Sequence, residues 1–167
     1  MMSPWALSFA YWLHMLATVA WIGSLASLAL VVLPAAQRGL DSRAYALFLE
    51  ALQRRLDPLG WFCLALLAGT GMFQMSANSH YHGFLAIDSP WAAAILLKHG
   101  VYLLMILVSA YLTWGMLPQV RRAVLRISHG QDAPDMERFQ RRSTWLLRLN
   151  LLLAVVVLAL TSLARAS

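Results

Sequence analysis

Apolar residues along the chain fall into four long stretches separated by three polar intervals. Residues 4–33, 58–75, 90–117 and 143–164 are runs of Leu, Ala, Val, Ile, Met and aromatic side chains with few polar interruptions. Crossing about 30 Å of hydrocarbon takes roughly 20 apolar residues at about 1.5 Å per residue, so each run predicts a membrane-spanning helix. The first and third exceed that length and are expected to tilt or project. Three runs open on the same signal: Ser3-Pro4, Asp57-Pro58 and Ser89-Pro90. In each, a side-chain oxygen can accept from the free N–H groups of the first turn, and proline falls where its missing N–H costs nothing. The fourth helix starts near Ser143, or earlier at Pro134 as a polar overhang.

The pattern predicts an all-α integral membrane protein, an antiparallel four-helix bundle forming a single membrane domain over residues 1–167. Intervals 34–57 and 118–142 carry ten arginines, and the interval 76–89 carries no Lys or Arg. By the positive-inside rule the two arginine-rich loops are cytoplasmic, and both termini and the loop with His80 and His82 face outward. Within the first loop, Leu40 to Leu56 reads as a short helix on the membrane surface. Asp41 can cap it, Glu50 and Arg54 are spaced as an i,i+4 pair, and Ala44, Leu47, Phe48, Ala51 and Leu52 share one face. The first run is twice a signal-peptide core and has no cation before it, so it reads as a retained helix.

Composition agrees. The chain is 60% hydrophobic and 12% charged, with a positive mean hydropathy, whereas a soluble domain carries about 25% charge. A net charge of +6 would suit nucleic acid, but the arginines sit in loops and form no face that tracks phosphates. The partner this implies is the lipid bilayer, in a bacterial inner (cytoplasmic) membrane, with a second subunit or copy left open as cover for Trp12 and other lipid-facing aromatics. The single cysteine, Cys63, lies inside an apolar run, so neither a disulfide framework nor a Cys-based metal site is expected, and it reads as a packing residue.

Polar residues inside the apolar runs carry the candidate chemistry, because ionisable groups at that depth are costly. Lys98 and His99 lie in the middle of the third run and His14 in the first. Both runs enter from the outer side. His14 lies nine residues beyond Trp5 and His99 eight beyond Trp91, so both are expected roughly 12–14 Å below the outer aromatic belt. Two imidazoles at one depth suit the axial ligands of a planar cofactor, and haem b held by two histidines is the leading reading. Such a protein would carry electrons between a membrane carrier such as quinol and an outer acceptor. On helical spacing Tyr11, Thr18 and Trp21 flank His14. Gly69 and Gly71 would admit a macrocycle close to the backbone. Lys98 and Arg165 are the cations available to propionates, and Tyr102 lies one turn below Lys98. Packing roles for Trp21, Gly69 and Gly71, a proton-handling pair and a directly bound metal stay open. Asn150, with Arg148, is a separate polar insertion to which no chemistry is assigned. A different chemistry is possible outside: Met72, Met75, His80 and His82, with Met1, Met2 and Asp88, offer soft and imidazole donors for copper.

Taken together, His14 followed by Trp21-Ile-Gly23, Gln53-Arg-Arg-Leu-Asp-Pro58, Gly69-Thr-Gly71, and Trp91 followed by Leu97-Lys98 resemble the copper resistance D (CopD) family. They are also similar to the HemJ-like membrane protoporphyrinogen oxidases. The first resemblance implies an inner-membrane protein of copper uptake or handling. The second implies haem b on His14 and oxidation of a porphyrinogen, with Lys98 or Arg165 gripping substrate carboxylates.

Overall fold

The computed structural model describes residues 3–78, 83, 90–128 and 136–166. Among the described residues all regular structure is helical, and four helices are long and apolar enough to cross a membrane. The chain is an all-α, multi-pass membrane protein. Helix one runs Pro4–Ser27, widens into a π turn at Leu28–Val32 and continues as Leu33–Gly39. Helix two is one run, Ser42–Ser76. Helix three is Pro90–Ala110, a π turn at Tyr111–Met116, then Leu117–Ser128, and helix four is Met136–Ala166.

Successive helices run antiparallel. Gln74 Nε2 donates to the Ala10 carbonyl at 3.2 Å near one end of the pair formed by helices one and two, and Gln37 Nε2 reaches Tyr45 Oη at 3.5 Å near the other. Helices three and four are tied by Asn150 Nδ2 to Ser109 Oγ at 2.9 Å, and helices two and three by Tyr102 Oη donating to the Leu64 carbonyl.

The helices are longer than the apolar runs, and the expected boundaries shift accordingly. Asp57-Pro58 does not start a helix: Pro58 lies inside helix two. The chain instead turns at Leu40 and Asp41, where Asp41 Oδ1 accepts from the Ala44 N–H at 2.6 Å. The interval 34–57, expected as a loop, is therefore helix on either side of that turn, and the surface helix over 40–56 is the first part of helix two. An internal proline forfeits one hydrogen bond and crowds the carbonyl four residues back, whereas ending a helix there would strand a turn's worth of polar backbone groups. Pro34 and Pro118 are likewise internal. The carbonyls their rings would crowd, those of Leu30 and Trp114, lie in the two π turns, which widen the backbone at those points. Ser3-Pro4 does start helix one, but the Ser3 carbonyl, not its hydroxyl, takes up the N–H groups of Ala6 and Leu7. Ser89 and Pro134 lie outside the described residues.

Packing is layered along the bundle. Met75, Trp91, Ala92 and Ala164 close the outer end, Trp21, Leu25, Cys63, Leu64, Met105 and Ala154 fill the middle, and Leu33, Tyr45, Leu49 and Val120 close the inner end. Gly60 is fixed by this middle layer, since a Cβ there would lie 2.9 Å from the Trp21 ring. Val19, Phe62, Leu103, Leu107 and Leu152 are more than half exposed on the outside, where lipid supplies their contacts. At the inner end Glu50 reaches Arg121 at 3.3 Å and Arg54 at 3.6 Å, so the expected i,i+4 pair is shared with a second helix.

Candidate functional site

The outer site is built on the seam between helices one and two. His14 Nδ1 lies 2.8 Å from Thr70 Oγ1, and Thr70 Oγ1 donates its own proton to the Leu66 carbonyl at 2.6 Å. Its single proton being committed, the Thr70 hydroxyl accepts from His14, so Nδ1 carries the imidazole proton and Nε2 the lone pair. The ring rests on bare backbone: a Cβ at Gly71 would sit 3.4 Å from His14 Cε1. The charges of Lys98 and Arg165 both reach His14, and the Arg165 guanidinium stands 6.0 Å from the centre of the Tyr11 ring. His99 Nδ1 is 2.7 Å from the carbonyl of Ile95 on its own helix. A carbonyl only accepts, so the His99 Nδ1 carries a proton, held by its own helix.

Other residues expected around His14 are placed differently. Thr18 donates to the His14 carbonyl at 2.7 Å, a bond within one helix turn. Tyr102 is bonded to helix two and not to Lys98. Trp21 lies in the middle layer, seated on Gly60, and nothing lies within 4 Å of where a Gly69 side chain would begin. Met72 is 54% exposed while Met75 is 8% exposed against Trp91 and Ala164, so these two thioethers do not converge. His80, His82, Met1, Met2 and Asp88 lie outside the described residues. Among the described residues no three His, Cys, Asp or Glu side chains gather as a metal site.

A second polar region, absent from the sequence-based expectations, occupies the inner half. A crevice of about 80 Å³ opens between the helices, with Trp21, Asp57, Cys63, Ser109, Thr113 and Asn150 on its walls. Among the described residues Asp57 is its only charged lining residue, and Thr113 donates to it. Asn150 is 1% exposed. One signal was visible in the sequence, an asparagine inside the fourth apolar run. The roles of Thr70 and Gly60 had none, because each depends on what the neighbouring helix places opposite.

A family model described as copper resistance protein D matches residues 50–164, which takes in helices three and four and all but the start of helix two. Searches of curated proteins and of solved structures give no match.

Proposed function

Since this chain belongs to the copper resistance protein D family, we propose that it handles copper within a bacterial cytoplasmic membrane, passing Cu(I) through the bundle with His14 as its outer ligand. One observation carries this reading: Thr70 fixes the His14 imidazole as the Nδ1–H tautomer, which turns Nε2 into a metal donor. A hydrogen bond on the non-ligating nitrogen is the usual companion of a histidine ligand. Lys98 and Arg165 weaken the hold of this station on a cation, and a transport site must release what it binds.

A second reading, haem b on His14 with electron transfer between a quinol and an outer acceptor, is favoured by those same two cations, which suit propionates. The fit to a macrocycle is incomplete. Trp21 is committed to Gly60, Gly69 faces open space, and neither histidine lines the inner crevice, itself well below the roughly 300 Å³ of a small-molecule cleft. Metal analysis and a visible spectrum of the purified chain separate the readings. Copper bound without a Soret band, and reduced by one ion per chain in His14→Ala, supports copper handling. A Soret band lost in His14→Ala supports haem, and turnover of protoporphyrinogen would then make the protein an enzyme. Neither metal nor haem on the wild-type protein defeats both.

A further inference from the structure

The inner crevice contains polar atoms that the protein itself leaves unsatisfied. Ser109 Oγ gives its proton to the Met105 carbonyl at 2.9 Å, so it must accept from the Asn150 amide, whose Nδ2 lies 2.9 Å away. This fixes the amide's orientation, and its Oδ1 is left fully buried without a partner. On the same crevice Trp21 Nε1, also buried, has none. Unpartnered polar atoms at that depth cost about 1–3 kcal/mol each and point to an occupant. The lining selects its kind. Between apolar walls it holds a carboxylate, an amide oxygen, hydroxyls, an indole N–H and one thiol, and among the described residues no Lys, Arg or His lines it. Such a lining suits a cation, and a thiol among oxygen donors suits a soft monovalent one. The volume admits an ion with a few waters, one of which can accept from Trp21.

We propose that this crevice is a second, inner Cu(I) station, with Cys63 Sγ and Asn150 Oδ1 as donors and Asp57 as proton acceptor. On binding, the Cys63 S–H bond breaks and an S–Cu(I) bond forms. The thiol proton passes through the crevice waters to the Asp57 carboxylate, about 9 Å away along helix two, and copper stays in the +1 state throughout. Thiol and carboxylate together carry one negative charge before and after the proton moves, and the bound Cu(I) cancels it, so the ion enters without leaving net charge in the bilayer. The proposal rests on the copper reading above.

Cys63 is the sole cysteine, so its alkylation by N-ethylmaleimide reports on the crevice directly. In the purified full-length chain, Cu(I) is expected to slow that alkylation at least tenfold. His14→Ala should leave the protection intact, whereas Asn150→Leu or Asp57→Asn should remove most of it. Cys63→Ser should bind one fewer Cu(I) per chain, which tests the station even if Asn150→Leu misfolds. Copper that binds at His14 without protecting Cys63 overturns the inner station and leaves the copper reading standing. Protection that persists in both Asn150→Leu and Asp57→Asn means a bare thiol, and a thiol inert to maleimide without metal means a closed crevice; either overturns the station. No Cu(I) binding anywhere overturns both.

Discussion

The outer and inner halves of the bundle use their polar groups in opposite ways. In the outer half His14 is satisfied at Nδ1 by Thr70, and its charged neighbours, Lys98 and Arg165, are cations. In the inner half Asn150 and Trp21 each keep an unsatisfied atom, and among the described residues the only charged one on the crevice is Asp57. Local hydrogen bonding thus leaves a donor nitrogen at one level and an unsatisfied acceptor at another. The contrast also separates what a substitution does. Changes in the outer half should alter what binds, and changes at Gly60 should alter how tightly the bundle packs.

The largest effect should come from His14→Ala, which removes the outer donor. Copper uptake in cells or proteoliposomes should fall at least tenfold, with little change in thermal stability. Next, Thr70→Val removes the partner that fixes the tautomer. Losses of such partners reduce metal affinity about 10–100-fold, measurable by competition with a chromophoric chelator. In the inner half, Gly60→Ala drives a methyl against Trp21 and should destabilise the protein by about 1–3 kcal/mol, read as a lower melting temperature in detergent. The smallest effects belong to the glycine pair. Gly71→Ala meets His14 at 3.4 Å and should nudge copper affinity, while Gly69→Ala faces open space and should stay within about 0.5 kcal/mol of wild type. If Gly69→Ala and Gly71→Ala reduced copper binding equally, His14 would not be seated as described.

Much of the fold was legible because hydrocarbon imposes a length and an apolar composition that few other contexts do. Four spans, the Asp41 cap and the Glu50–Arg54 pair could all be read from the chain. Proline misled in one place. Asp57-Pro58 has the form of a helix start, but Tyr45, Ala46 and Leu49 are buried in the bundle and continue the same helix backward, and Pro58 is carried within it. The site was legible only as residue types. His14 stands out in an apolar run, but its tautomer depends on Thr70, fifty-six positions away, and on where Thr70 spends its own proton. Gly69 and Gly71 look equivalent in sequence, but two positions along a helix turn a residue through about 200°, so Gly71 faces the His14 imidazole and Gly69 does not.

The collar of Arg38, Arg43, Arg54, Arg55, Arg121 and Arg122 has a consequence for everything buried above it. Guanidinium groups settle among lipid headgroups and resist being drawn into hydrocarbon, so the bundle has a fixed draught in the bilayer. A helix two of 35 residues, roughly 50 Å at about 1.5 Å each, cannot then slide to hide its excess length. It stands proud on the arginine side, clamped to helix three through Glu50, and the levels of His14 and Asn150 beneath the two membrane faces are set by that anchor.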